Sequence, residues 1–374
     1  MSDTVQKVTS GESWSEFCDL LKSAGKFITD NSMDDELERA EGFRYLARLL
    51  AGALNDGIDP APLNPPLLQY RKARIGADNP DFKYGSVRIS GKAVYRIIGK
   101  KNDAYNFNIG AFYGSLGSPQ GLQSTGFLNQ SDLFSAAKSA NPEFEIIACT
   151  DKSQFSQYAS SDNAHWLALS EKSNSLIIRQ TLLNPRTDIP TEINIEWLAG
   201  DMPAPSSLLT AKRLDDSLGR AAIMVHGISQ QFLGWTNDFK QRPNTISEIK
   251  PELLGMAKGD PNCQYNYGYF DLQAGQGLRI TLKPPECEYW NIQLANHWLE
   301  SLDNPEAIAS INNASAISNS DGSVTVIVSE QDLGEKNWLD TQSHQRGVIA
   351  LRWVGAGQKQ SDPIVEVLAL PASN

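Results

Sequence analysis

The spacing of apolar residues changes once near the start of this chain, from every third or fourth position to every second, and the change falls at Pro60, Pro62, Pro65 and Pro66. One kind of element cannot serve both periods: the wider spacing buries one face of a helix, and alternation buries one face of a strand. Before the prolines, Trp14, Phe17, Leu21, Ala24 and Ile28 recur at helical spacing, and Ser13-Trp14-Ser15-Glu16 has the form of a capping box. A second helix is expected from about Asp34 to Asn55, with Leu37, Ala40, Leu46, Leu50 and Leu54 near one face and Gly57 as its stop. The prolines then read as a stiff linker.

Beyond the linker, Val87 and Ile89, then Ala93, Tyr95 and Ile97, then Tyr105, Phe107 and Ile109 alternate with other residues. Gly91-Lys92 and Lys100 to Asp103 supply turns, which predicts a meander of three antiparallel strands. Phe144 to Cys149, Leu176 to Leu183 and Ile193 to Leu198 are further strands, so residues 67–200 are expected to form an antiparallel β-sandwich. Leu208, Ala211, Leu214, Leu218, Ala222, Val225 and Phe232 predict one amphipathic helix over about 206–235, weakened by Gly219 and Gly227. The last strands are Tyr265 to Leu272, Leu278 to Leu282, Tyr289 to Ala295, Val324 to Ser329, Ile349 to Val354 and Val365 to Leu370, a jelly-roll-like pattern. The expected class is therefore α+β and β-dominated. Its expected segments are a helical 1–66, a β-sandwich 67–200, a helical connection 201–256 and a jelly-roll-like double sheet 257–374.

Charge narrows the partners. With 33 basic and 44 acidic residues the net charge is −11, which argues against nucleic acid and anionic lipid, since phosphate binding needs a positive field. No apolar run reaches transmembrane length, and Met1-Ser2-Asp3-Thr4 has neither the basic start nor the apolar core of a signal peptide, so a cytoplasmic protein is expected. Cys18, Cys149, Cys263 and Cys287 form no C-x-x-C pair and read as reduced thiols, with a Cys263–Cys287 bridge left open. His165, His226, His297 and His344 show no metal-ligand spacing, so neither a metal nor another cofactor is expected.

Several chemistries lack their motifs. There is no G-x-S-x-G elbow, no P-loop gap around Gly85 to Lys92, and no third glycine after Gly275-x-Gly277 or Gly355-x-Gly357. Asp34-Asp35 with Glu38 imitates the acidic motif of a prenyl-diphosphate site, but an acidic helix start accounts for it.

The polar-aromatic clusters of the last hundred residues carry the candidate site. Asp340 and His344 stand four apart; on a helical turn the carboxylate would orient the imidazole as a general base. The plainer reading is a loop-capping aspartate and a surface histidine. Glu300 and Asp303, three apart after a strand, are candidates for the acid, against the plainer reading of a solvated turn. Trp298 and Trp338 lie in polar stretches where an indole can stack on a ligand, while Trp290 and Trp353 sit inside strands and read better as core. Asn296 and Asn337 can orient a substrate by hydrogen bonds. Arg88 and Arg96 read as members of cross-strand pairs with acidic neighbours.

Tyr289-Trp290-Asn291-Ile292-Gln293-Leu294, then Asn296, Trp298 and Glu300 to Asp303, Asp321-Gly322-Ser323-Val324, Asn337-Trp338-Leu339-Asp340-Thr341 with His344, and Arg352-Trp353 together resemble domain of unknown function 1214. Asp78-Asn79-Pro80-Asp81 with Tyr95-Arg96-Ile97, and Arg179-Gln180-Thr181 leading to Glu196, are similar to bacterial stand-alone members, more loosely so. The resemblance implies a jelly-roll domain beside a β-sandwich. It also implies a small-molecule substrate, because members accompany genes for lipid, steroid or aromatic catabolism. Many relatives pair with domain of unknown function 1254 and are exported, from which the start of this chain departs.

The expectation is a cofactor-independent hydrolase or lyase acting on a lipid-like, aromatic or glycosidic compound. Asp340 and His344 would form the base, with Glu300 or Asp303 as acid and Trp290, Trp298, Trp338, Asn296 and Asn337 around the substrate. The alternatives are a small-ligand or carbohydrate binding module and a structural interaction protein. No nucleic acid or membrane partner is expected, and the oligomeric state stays open, a homodimer included.

Overall fold

The computed structural model describes residues 3–70, 74–118, 120–134, 142–200, 209–255, 259–302, 304 and 306–371. Among them run seven helices. These are α1 (Asp3–Ser10), α2 (Glu12–Asn31), α3 (Glu36–Ile58), α4 (Gln130–Phe134), α5 (Lys152–Tyr158), α6 (Ala211–Phe239) and α7 (Pro251–Leu254). The chain divides into two compact units: Met1–Ser23, Leu49–Ala73 and Asp81–Gly227 in the first, and Ala24–Arg48, Arg74–Pro80 and Ile228–Asn374 in the second. The fold is α+β and β-dominated, with N-terminal helices, a β-sandwich, a long helix after it and a C-terminal double sheet.

The first unit holds β1 (Leu68–Tyr70), β2 (Phe82–Arg88), β3 (Ala93–Lys100), β4 (Asn106–Gly114), β5 (Leu122–Leu128), β6 (Glu143–Cys149), β7 (Ala164–Ala168), β8 (Ser175–Thr181) and β9 (Glu192–Gly200). They make two sheets, β1-β2-β8-β4-β5 and β7-β6-β3-β9. Alternate residues of both sheets, among them Val87, Ile97, Ile109, Ile146 and Ile178, close on one core. The expected meander of β2, β3 and β4 is corrected here. All three strands form, but β2 and β4 both flank β8 while β3 belongs to the opposite sheet. Alternation fixes which residues face inward and is the same for a hairpin and for a crossing between two sheets, so it cannot choose the neighbour.

Two helix starts also differ from expectation. Ser13 is not a cap: α2 already runs from Glu12, and Ser13 Oγ donates to Asp215 Oδ1 at 2.5 Å. The helix expected over 206–235 runs from Ala211 to Phe239, and Leu208 lies outside the described residues. Gly227 stays in it despite its poor helix propensity because a Cβ there would fall 2.0 Å from the Gly117 carbonyl oxygen.

The second unit holds β10 (Ile246–Glu248), β11 (Cys263–Asp271), β12 (Gln276–Leu282), β13 (Tyr289–Ala295), β14 (Ser310–Asn312), β15 (Val324–Ser329), β16 (Trp338–Asp340), β17 (Arg346–Val354) and β18 (Ile364–Ala369). Its sheets are β10-β11-β17-β13-β14 and β16-β15-β12-β18. Trp290, Ile292 and Leu294 of β13 and Ile349, Leu351 and Trp353 of β17 meet Leu278, Ile280, Val326 and Val328 in the core between the sheets. Cys263 and Cys287 are free thiols.

The other face of the β11-β17-β13 sheet is polar, because the residues between the core positions include Tyr269, Asn291, Gln293, Arg346 and Arg352. Arg352 Nη1 donates to Gln293 Oε1 at 2.7 Å, and Gln293 Nε2 donates to the Asp78 carbonyl at 2.7 Å. Asp78 in turn accepts from Ser301 N at 2.9 Å and Ser301 Oγ at 2.8 Å, while Ala77 N donates to the Leu299 carbonyl at 2.7 Å. The segment 74–80 is thereby pinned to the turn after β13, and that turn carries functional candidates.

Candidate active site

A cavity of about 120 Å³ in the second unit is lined by Asp35, Glu38, Glu41, His297, His344 and Arg346 among others. Three pieces of chain deliver these groups. The first is the start of α3, where Asp35 Oδ1 accepts from Glu38 N at 2.7 Å, as an N-cap does. Glu38 and Glu41 then fall three apart on one side of the helix, and both are buried.

The second piece is the turn into β17. Gln342 and Ser343 take left-handed backbone angles (φ 53° and 66°), and His344 N donates to the Thr341 carbonyl at 3.0 Å. The third is the turn after β13, which opens with His297.

Each group is held by hydrogen bonds. Glu38 Oε1 accepts from Met33 N and Oε2 from Arg346 Nη2, both at 2.8 Å. Glu41 Oε1 accepts from Arg44 Nη2 at 3.0 Å, and its Oε2 stands 3.0 Å from His344 Nε2. His344 Nδ1 lies 2.7 Å from the Thr341 carbonyl, so that nitrogen carries a hydrogen. Nε2 therefore gains its own hydrogen only when the ring is charged. Burial pulls the His344 pKa down and is the largest single effect. The Glu41 carboxylate and the carbonyls of Thr341 and Gln342 together outweigh it, and the pKa ends above the ordinary imidazole value.

His297 is the reverse case. It is 2% exposed, its Nδ1 lies 3.0 Å from the Tyr269 hydroxyl, and Trp298 packs edge-on against the ring at 5.0 Å. Nε2 is buried with no close hydrogen-bond partner, and the Asn31 backbone raises the pKa of the ring. Burial lowers its pKa to about 4; Glu38 opposes that, while Lys240 and Arg346 reinforce it. The Tyr269 hydroxyl and Nδ1 share one hydrogen, and either atom can donate it. The cavity thus holds one imidazole biased toward the cation and one held neutral.

Of the residues singled out in the sequence, His344 lines this cavity. Its carboxylate partner is Glu41, not Asp340: Asp340 Oδ1 instead accepts from Gln342 N at 2.7 Å, because the left-handed turn folds the backbone amide onto it. Glu300 is fully buried and accepts from Arg48 Nη1 at 2.7 Å. Burial raises its pKa, while Arg48, Arg44 and Asn296 pull it down. Asp303 lies outside the described residues.

The aromatic and amide candidates hold structural bonds. Trp298 is buried and its Nε1 donates to the Glu38 carbonyl at 2.7 Å. Trp338 Nε1 donates to the Ser329 carbonyl at 3.1 Å, and Trp290 packs on Trp353 at 5.8 Å in the core. Asn296 Oδ1 accepts from Trp298 N at 3.0 Å and Glu300 N at 3.1 Å. Asn337 bridges Ile317 and the Thr325 carbonyl. Among the described residues no group of three or more His, Cys, Asp or Glu side chains is arranged to hold a metal ion.

A wider groove of about 790 Å³ lies in the first unit. Its buried carboxylate, Glu145, is bonded by Ser160 and Ser161 and paired with Arg96.

Residues 270–358 match a family model described as protein of unknown function (DUF1214). The crystal structure of an uncharacterized protein from Burkholderia cenocepacia is 34% identical, with a TM-score of 0.85 over 97% of this chain and 98% of that one. The VPA0106 protein from Vibrio parahaemolyticus shares the fold at 12% identity, with a TM-score of 0.50 over 87% of this chain and 96% of that one. No curated protein matches the chain.

Proposed function

We propose, for a chain that belongs to the DUF1214 family of proteins of unknown function, a cofactor-independent hydrolase or lyase that works on a small organic molecule by histidine and carboxylate acid–base chemistry. One observation carries the reading: two histidines line a single cavity with their pKa values driven apart. Groups separated in this way are how a site keeps an acid and a base at the same pH. In the tautomer with Nδ1–H toward the Tyr269 oxygen, His297 takes a proton at Nε2 from water or from a substrate C–H. In hydrolysis the activated water oxygen bonds to the electrophilic carbon, the bond to the leaving group breaks, and charged His344 gives that group its Nε2 proton. The proton left on His297 then passes through water to His344 Nε2, which restores the neutral His297 and the imidazolium facing Glu41. Arg346, of which Nη2 alone is bonded to Glu38, supports a developing negative charge.

The cavity, about 120 Å³, is smaller than the few hundred Å³ or more of a pocket that encloses a whole ligand, so it admits the reacting polar end of a lipid-like, aromatic or glycosidic compound rather than the whole. The reading takes the protein as cytoplasmic, in keeping with four free thiols, and the acidic charge disfavours nucleic acid and membrane partners. No helix among the described residues is long and apolar enough to cross a membrane.

A second reading, a non-catalytic small-ligand module, is favoured by the bonds that Glu38, Glu41 and His344 already make inside the protein. The test is incubation of pooled small metabolites with wild type and His297→Gln, followed by mass spectrometry. Depletion by wild type alone supports the enzyme. A compound retained unchanged on the protein supports the binding module. Neither result would remove both readings.

A further inference from the structure

Glu300 does not line the cavity, yet it belongs to the same row of charges. Glu41, Arg44, Tyr45 and Arg48 occupy positions i, i+3, i+4 and i+7 of α3, so their side chains descend one face of the helix. Charge alternates down that row. His344 Nε2 meets Glu41 Oε2 at 3.0 Å, and Glu41 Oε1 accepts from Arg44 Nη2 at 3.0 Å. Arg44 Nε then stands 4.0 Å from Glu300 Oε2, and Arg48 Nη1 donates to Glu300 Oε1 at 2.7 Å.

A carboxylate kept only for stability is expected to have both oxygens hydrogen-bonded, because an orphaned buried acceptor loses its hydration without replacement. Glu300 has no exposed surface; its Oε2 makes no close hydrogen bond and has only Arg44 Nε at 4.0 Å, with the Asn296 side chain also bonding the carboxylate, and the neighbouring Tyr45 hydroxyl, equally buried, lacks a partner. The backbone is nevertheless shaped to hold this group. Asn296 Oδ1 fixes the Glu300 amide at 3.1 Å, and Leu299 adopts φ 60°, a left-handed conformation uncommon for leucine. Strain of this kind collects at positions that serve function.

We propose that Glu300 is a positioning residue for the cavity, acting through Arg44 to set how tightly Glu41 holds the proton of His344. With Glu300 charged, Arg44 is shared between two carboxylates and only partly neutralises Glu41. Without that charge, Arg44 serves Glu41 more fully and the hold on His344 weakens. Without Arg44 the hold strengthens. Other groups also face the two ends. Asp35, Glu38, His297, Arg346 and the carbonyls of Thr341 and Gln342 surround His344, while Arg48, Tyr45 and Asn296 surround Glu300. They are unchanged in the variants below. The role in catalysis rests on the acid–base reading; the coupling itself does not.

The experiment is an NMR titration of the imidazole rings in the full chain labelled at histidine, where only four residues contribute. Glu300→Gln is expected to lower the His344 midpoint by about half a pH unit or more, and Arg44→Gln to raise it by a similar amount. In the double variant, Glu300→Gln should add nothing to Arg44→Gln. A His344 midpoint unmoved by Glu300→Gln overturns the proposal, as do fully additive shifts. Should the buried Glu300→Gln variant not fold, Glu300→Asp, which draws the charge back from Arg44, replaces it: an unmoved His344 midpoint there is equally fatal, as is one in Arg44→Gln, where the side chain is 41% exposed. No substrate enters this measurement. Shifted midpoints without metabolite depletion would keep the coupling and remove the enzyme. Unmoved midpoints beside a His297-dependent turnover would do the opposite.

Discussion

Glu41 and His344, 303 positions apart, meet at 3.0 Å, and the imidazole has its second nitrogen already committed to the Thr341 carbonyl. That second bond decides what the first can be. Since Nδ1 always carries a hydrogen, Nε2 faces Glu41 either as the donor of an imidazolium or as an acceptor that needs a protonated carboxyl. The raised His344 pKa favours the donor. The ordered turn and the helix thus cooperate to favour a charged ring against the cavity, while burial disfavours charge on its neighbour His297.

Replacing Glu41 by Gln should therefore weaken the fold most where His344 is charged. A histidine whose folded pKa is raised adds stability that is complete below its unfolded value, about 6.5, and fades as pH climbs through the folded value. Urea unfolding at pH 5.5 should show Glu41→Gln less stable by about 2 kcal/mol, a typical loss for a hydrogen bond to a charged group. The gap to wild type should narrow above the wild-type His344 midpoint. A gap that widens with pH would contradict the ion pair.

His297 predicts the opposite slope. Its folded pKa of about 4 lies below the unfolded value, so protonating the unfolded chain costs stability as pH falls from about 6.5 toward 4. The linked loss is of order 3 kcal/mol at the acid end. His297→Gln removes the titrating ring, and its stability should be correspondingly flatter over that window in thermal unfolding at matched pH.

Gly42 sets the approach of α3. An added Cβ would lie 2.5 Å from Ile28 Cγ2 and 2.8 Å from Trp298 Cε2, too close for either to remain in place. Although alanine is the better helix former, Gly42→Ala should destabilise by about 1–3 kcal/mol through overpacking. A gain in the urea midpoint would show that the helix has room to retreat.

Asn296 holds the turn that presents both His297 and Glu300. Asn296→Ala leaves the amides of Trp298 and Glu300 buried and unbonded, a loss of about 3 kcal/mol. Asn296→Asp keeps the acceptor oxygen and should lose less. Equal losses for the two, read by chemical denaturation, would show that the side-chain oxygen does not bind those amides.

Much of the second unit is legible in its sequence because long strands carry enough alternation to mark both ends: β13 and β15 run over the residues expected, Tyr289–Ala295 and Val324–Ser329. β10, β14 and β16 are three residues each, too short for any period to register. Strand partners were less readable than strands, as β2, β3 and β4 show.

The site divides in the same way. His344 and Glu300 stand out because they sit among aromatic and polar residues near strand ends. Glu38 and Glu41 do not, since at the head of a helix acidic residues are ordinary, favoured by the helix dipole whether exposed or buried. Their burial follows from tertiary placement, and the local signal, two carboxylates three apart facing the same way as Tyr45, becomes informative only when the buried face is known. His297 bears no mark of its own beyond its neighbours Asn296 and Trp298.

The row from Glu41 to Arg48 makes α3 a ruler for the site. Each residue along a helix advances the side chains by about 100°, so inserting or deleting a single residue between Glu41 and Arg48 would split the row, and it could no longer meet His344 and Glu300 together. Surface loops elsewhere tolerate changes of length; this stretch of α3 is expected to tolerate changes of letter far better than changes of count.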